Sequence, residues 1–157
     1  MRAALVYPHQ LFENHPALMG AERCFVVEDP LYFKQYAFHV QKLAYHRATM
    51  TRFARESESR MPTRYLRAEE LNDTSSLAEI LKEENVAEAQ VVDPNDDWLQ
   101  RRLTESLRRA NIQLQILEDP HFLTSRTEFA DFVDSQKKLF FTEFYIRQRK
   151  RLGILLD

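Results

Sequence analysis

Glycine occurs only twice in 157 residues, at Gly20 and Gly153. Phosphate-cradling loops such as GxGxxG and the Walker loop need several glycines so that backbone N–H groups can close on a phosphate. Neither pattern can be assembled here, and the Gly-x-Ser-x-Gly elbow of serine hydrolases is excluded for the same reason. The single cysteine, Cys24, forms no intramolecular disulfide and cannot alone supply a zinc or iron-sulfur site, which suits a reducing, cytoplasmic setting. Charge of one sign is also lacking. With 22 basic and 24 acidic residues the net charge is −2, so no global field favours nucleic acid and any such contact needs a local patch. No apolar run approaches the roughly 20 residues of a membrane span, and Pro8-His9-Gln10 cuts the N-terminal run short of a signal-peptide core. No membrane partner is expected.

What the chain does contain is a set of short apolar runs that stop alike. Phe25-Val26-Val27 leads into Glu28-Asp29-Pro30, Val91-Val92 into Asp93-Pro94, Ile116-Leu117 into Glu118-Asp119-Pro120, and Ala3-Ala4-Leu5-Val6-Tyr7 into Pro8-His9-Gln10. Such near-continuous β-formers read as strands buried on both faces, each stopped by a proline that has no ladder donor. Ligands of open parallel sheets sit in the crevice beyond the carboxyl ends of the strands. His9, Gln10, Glu28, Asp29, Asp93 and Asp119 are therefore the first places to look for function.

Strands are expected over residues 2–7, 23–27, 63–66, 87–92 and 112–117, with a loop or short helical turn over 11–22 around Pro16 and Gly20. Residues 36–60 have no Gly or Pro and carry Val40, Leu43, Ala44, Ala48, Thr51 and Ala54, which predicts one long helix with a face on the sheet. Asp73-Thr74-Ser75-Ser76 caps a helix over 77–84. Asp96 or Asp97 caps another over 98–110, in which Leu99, Leu103 and Leu107 recur four apart. Right-handed crossovers then give an α/β, Rossmann-like three-layer sandwich around a five-stranded parallel sheet in the order 3-2-1-4-5.

The pattern changes after residue 124. Residues 127–136 and 138–151 read as helices with Gly153 as a stop, so an α/β domain over 1–124 is followed by extra C-terminal helices over 125–157. Phe140, Phe141, Phe144 and Tyr145, with the apolar tail Ile154-Leu155-Leu156-Asp157, suit an end that meets more protein.

Several residues carry more than one reading. His39, Lys42 and His46 lie at i, i+3 and i+7; the two histidines are too far apart for the i, i+4 metal pair, so a polar helix edge meeting the sheet's carboxyl side or another domain is expected and no metal. Glu28 and Asp29 are adjacent carboxylates, the raw material of an acid-base pair, but the plainer role is for one of them to accept N–H bonds at the next helix start. Trp98, the sole tryptophan, either seals the edge of the core or stacks on a flat ligand. Arg147, Arg149 and Lys150 belong to the densest basic cluster, suited to a solvated face, an interdomain contact or phosphate. No nucleophile or metal set supports catalysis, and no catalytic residue is assigned.

The run from Glu28-Asp29-Pro30-Leu31-Tyr32-Phe33 through Tyr45-His46-Arg47-Ala48-Thr49-Met50 is the distinctive part. Together with Leu5-Val6-Tyr7-Pro8-His9-Gln10-Leu11-Phe12, His121-Phe122-Leu123-Thr124 and Phe144-Tyr145-Ile146-Arg147-Gln148-Arg149-Lys150-Arg151-Leu152-Gly153-Ile154-Leu155-Leu156, it resembles the deoxyribodipyrimidine photolyase-related proteins, the bacterial iron-sulfur branch of the photolyase/cryptochrome superfamily. The resemblance implies the N-terminal, antenna-type domain of a light-driven DNA repair or light-sensing flavoprotein. In that family a large helical domain follows, holding FAD, the iron-sulfur cluster and the lesion-binding surface. FAD and the cluster are thus expected only in that absent domain, which is the implied partner, and damaged DNA is met only through the parent protein.

For this chain the resemblance implies a lumazine-type antenna chromophore, with His9, Gln10, Glu28, Asp29, Tyr32 and Trp98 as candidate contacts. Many members read Gly-Asp-Gln-Leu where this chain has Pro8-His9-Gln10-Leu11, and Tyr32 stands in place of a helix-start acid, while Gln10 and Glu28 match. His39, Lys42, His46, Arg147, Arg149 and Lys150 become candidates for interdomain or DNA contact. Two other readings stay open: a stand-alone small-molecule or nucleotide-binding domain using the acidic strand ends, and a protein-interaction domain that self-associates through its C-terminal aromatic helix.

Overall fold

A computed structural model describes residues 1–155. Five strands, β1 (Arg2–Val6), β2 (Arg23–Val27), β3 (Thr63–Leu66), β4 (Glu88–Val92) and β5 (Gln113–Leu117), pair in parallel in the order β3-β2-β1-β4-β5. This is the expected α/β sheet. Its register sets Leu5 beside Phe25 on one side and Val91 on the other. The helices are α1 (Pro30–Phe33), α2 (Val40–Glu58), α3 (Thr74–Glu83), α4 (Asp97–Arg109), α5 (Arg126–Asp134) and α6 (Phe141–Leu152), with 3-10 turns at Pro16–Leu18 and Ala68–Glu70. The chain divides into two compact units, one from Met1 to Leu117 and the other from Glu118 onward.

Strand alternation sends successive side chains to opposite faces and builds two cores in the first unit. Leu5, Tyr7, Phe25 and Val27 meet Leu77 and Leu81 of α3 and Leu99, Leu103 and Leu107 of α4. Val6, Cys24 and Val26 meet Met50, Phe53 and Ala54 of α2 on the other face. Asp73 caps α3 through Ser75 and Ser76 N–H groups, and Asp96, not Asp97, caps α4 through Leu99 N at 3.0 Å. Burial pushes the Cys24 thiol up to about 12, consistent with a buried, unreactive core residue.

Three expectations are corrected. Of the four runs expected to be buried on both faces, those of β1, β2 and β4 are, but β5 is not: its five residues are all at least partly exposed, because β5 is an edge of the sheet, as is β3.

The long helix begins at Val40, not Tyr36, because His39 takes the cap position and its Nδ1 accepts from Gln41 N at 3.2 Å. Its buried face is Met50, Phe53, Ala54 and Ser57, all in the C-terminal half. Val40, Ala44 and Ala48 of the expected stripe are exposed, and Leu43 is only partly buried against the core.

Trp98, at 67% exposure, does not seal the core; it lies on the outer side of α4 with the Arg102 guanidinium 5.6 Å from its ring centre.

In the second unit, α5 and α6 pack through Phe144, whose ring lies 5.3 Å from Phe129 and 5.1 Å from Phe132. Arg151 binds Glu128 at 2.9 Å and the Leu123 carbonyl at 2.6 Å, and Gly153 ends α6 in the left-handed region at φ 66°. Phe140 and Phe141 stay exposed. The final tail residues Leu156 and Asp157 lie outside the described residues. Among those described, no helix is long and apolar enough to cross a membrane.

Candidate functional site

The strand order reverses direction between β1 and β4: from β1 the chain passes to β2 and β3 on one side, then returns to β4 and β5 on the other. Such a switch point opens a crevice at the carboxyl ends of the strands. The turn after β1 places Gln10 there, its backbone N–H donating to Tyr7 O at 2.9 Å. The Gln10 side chain is fully buried, and its Nε2 donates to Val92 O at 2.8 Å and Asp93 O at 3.1 Å, tying the end of β1 to the end of β4. Its two amide hydrogens are thereby used, whereas Oε1 has no partner among the described residues.

His9 Nε2 lies 2.9 Å from Pro94 O. A carbonyl only accepts, so Nε2 carries the proton. The His9 ring lies 5.2 Å from Tyr32 and 6.5 Å from Tyr7. Tyr7 is wholly buried and its hydroxyl, like Gln10 Oε1, has no partner among the described residues. Burial, with Asp29 next in importance, raises the Tyr7 phenol well above its usual range. Tyr32 is raised too, by burial and then by Asp96 and Asp29. Both phenols therefore stay protonated donors at neutral pH.

Glu28 and Asp29, adjacent in sequence, serve opposite faces of the sheet. Asp29 caps α1, accepting from Leu31 N at 2.9 Å and from the Thr74 hydroxyl of α3 at 3.2 Å; burial raises its pKa, with those two bonds opposing. Glu28, also fully buried, accepts from Arg47 Nε and Nη2 at 2.9–3.2 Å, Tyr65 Oη at 2.6 Å, Ala68 N at 3.0 Å and Arg67 Nη1 at 3.4 Å. The two carboxylates have separate partners, so they do not form an acid-base pair.

Of the candidate contacts, His9, Gln10 and Tyr32 come together at the switch point, with Asp29 as the cap that positions Tyr32. Glu28 instead anchors α2 to the β3 end, and Trp98 stands on the outer surface of α4. Tyr7 joins the first group although its sequence context reads only as the last core residue of a strand. Lys42 Nζ lies 3.9 Å from the Phe38 ring centre, and His46, its pKa lowered by burial and by Lys42, contacts Phe33. Arg147 and Arg149 lie over the Phe132 and Tyr145 rings, and Lys150 is exposed. No group of three or more His, Cys, Asp or Glu side chains among the described residues is arranged to hold a metal ion.

A family model described as deoxyribodipyrimidine photo-lyase-related protein matches residues 4–157. The chain belongs to that family. The photolyase-related chain is also similar to an uncharacterized protein of Acanthamoeba polyphaga mimivirus, 28% identical over 167 residues that take in 98% of this chain and 84% of the viral protein. The match to the photolyase-related family covers both the α/β unit and the helical unit that follows it.

Proposed function

We propose that this chain is a non-catalytic, antenna-type domain of a photolyase-like flavoprotein, which holds a flat heteroaromatic chromophore of the lumazine type at the β1–β4 switch point and passes its excitation to a flavin carried elsewhere. The observation that carries the reading is Gln10 Oε1, a buried acceptor left without a partner among the described residues, as is the Tyr7 hydroxyl at the end of β1. An unsatisfied buried polar group costs about 1–3 kcal/mol, and a ring N–H and a ring carbonyl of such a ligand answer these two atoms. His9 and Tyr32 supply the aromatic walls that a pocket for a flat ligand requires. Family membership supports the same reading from a separate direction.

On this reading light-dependent repair of DNA belongs to a C-terminal domain carrying FAD and an iron-sulfur cluster. Exposed Phe140 and Phe141 beside Arg147, Arg149 and Lys150 in one unit, and His39, Lys42 and His46 in the other, are the surfaces offered to that domain or to its DNA. The test is to mix the purified chain with a ribityl lumazine, a flavin mononucleotide and a folate, then separate free from bound. The lumazine is expected to co-elute, and the chain alone is expected to repair no ultraviolet-damaged oligonucleotide. Repair by this chain alone contradicts the proposal.

The exposure of Phe141, at 81%, favours a second reading in which α6 pairs with another copy of the chain. Light scattering that gives a dimer for the wild type and a monomer for Phe141→Ser supports it, and a wild-type monomer rejects it.

A further inference from the structure

We infer that the outer face of α2 is a docking groove for the phosphodiester backbone of a nucleic acid, bound without regard to base sequence. A groove of about 520 Å³ runs along this helix, and four arginines line it: Arg47, Arg52 and Arg55 from α2, and Arg67 from the segment after β3. The chain as a whole is slightly acidic, so four guanidinium groups along one groove concentrate charge against the global balance.

The carboxylates nearby have partners of their own, and Glu70 accepts from Arg67 N at 2.8 Å and lies 3.5 Å from Arg64. Glu28 is fully buried beneath the groove and is shared by Arg47 and Arg67, Glu56 pairs with Arg52 at 2.7 Å, and Glu69 pairs with Arg47 at 2.6 Å. Arg55 makes no ion pair among the described residues and is exposed. Of the residues that line the groove, four are arginines and one, Glu56, is a carboxylate.

Buried Glu28 also does something for binding. By gripping Arg47 from below it holds that guanidinium in place, so less side-chain freedom is given up when a ligand arrives. Planar guanidinium forks match phosphate oxygens in a way that a lysine ammonium does not. The small side chain of Ala48 leaves the helix surface low between Arg47 and Arg52, so a strand can come close. Arg47 and Arg55 are eight residues apart, ~12 Å along the helix axis at the usual rise, longer than one phosphate needs and comparable to several nucleotides at ~3.4 Å per step. The groove lining contains no aromatic side chain on which a base can stack, so recognition is of the backbone.

This inference stands apart from the chromophore reading, since none of these arginines lies at the switch point and the test contains no chromophore. The probe is a short labelled single-stranded oligonucleotide of mixed sequence, followed by fluorescence anisotropy across a salt series. The double variant Arg52→Gln/Arg55→Gln alters exposed side chains, and an unchanged melting temperature shows that its fold is kept. Its affinity is expected to fall roughly tenfold at low salt. The slope of log K against log salt is expected to drop by about 1.4, near 0.7 for each single-strand phosphate that the variant no longer neutralises. Arg101→Gln/Arg108→Gln on α4 makes the same change in net charge elsewhere and is expected to leave both values in place. Equal weakening in the two double variants, no weakening in either, or displacement of the oligonucleotide by equimolar inorganic pyrophosphate would each overturn the inference.

Discussion

His15 is the clearest case of a titratable side chain whose behaviour follows from its surroundings. Its Nδ1 accepts from Ala17 N at 3.1 Å, its ring packs against Phe12 and Phe53, and burial lowers its pKa to about 4. In the unfolded chain a histidine titrates near 6.5. Above that pH the ring is neutral in both states. Between about 6.5 and 4 only the unfolded chain takes up the proton, so stability falls as pH drops through this window, by up to about 3 kcal/mol for this group. His15→Asn retains a capping acceptor and removes the titration. Urea unfolding is therefore expected to show a shallower decline for the variant over this window, and parallel curves would contradict the assignment.

Glu28 gives a second prediction at the same scale. Glu28→Gln leaves Arg47 and Arg67 without their shared buried charge, and both guanidinium groups are partly solvated. The expected destabilisation is about 2–3 kcal/mol in urea unfolding, below the full penalty for breaking a buried pair. A value under about 1 kcal/mol would mean that water replaces the carboxylate at no cost. The sequence places Glu28 at a strand end and suggests a ligand contact there, because its partners Arg47, Tyr65 and Arg67 are 19 to 39 residues away and nothing local announces them.

At the scale of elements, legibility follows locality. α4 is readable because everything that makes it a helix is nearby: the Asp96 cap and the leucines four apart at positions 99, 103 and 107. Asp96→Ala should cost about 1 kcal/mol and Leu103→Ala, fully packed between helix and sheet, about 3 kcal/mol; thermal or urea unfolding checks both, and the reverse ranking would contradict the assigned roles. α2 is only half readable. Its lack of Gly and Pro announces a helix, but composition does not reveal that its buried face is confined to Met50, Phe53, Ala54 and Ser57, and His39 acting as a cap moves the start from Tyr36 to Val40. β5 shows the same limit, since an apolar run does not reveal that its strand ends up at a sheet edge.

For the whole molecule, the sheet order follows from alternation and crossover handedness, and it puts the switch point between β1 and β4. His9 and Gln10 are visible in the sequence as polar residues after a strand. Tyr7 is not, because one buried hydroxyl without a partner among the described residues is invisible until the fold closes around it. The α2 groove is hidden too, as the arginines that form it are spread from residue 47 to residue 67 and average out in the net charge.

The central claim, a chromophore site at this switch point, is tested most directly by equilibrium titration of the chain with a ribityl lumazine, following the anisotropy of the lumazine's own emission. Saturable binding that His9→Ala and Gln10→Leu each weaken at least about tenfold, ~1.4 kcal/mol, in variants that keep the wild-type melting profile, is the predicted result. Absence of saturable binding, or equal affinity in wild type and both variants, would contradict the site.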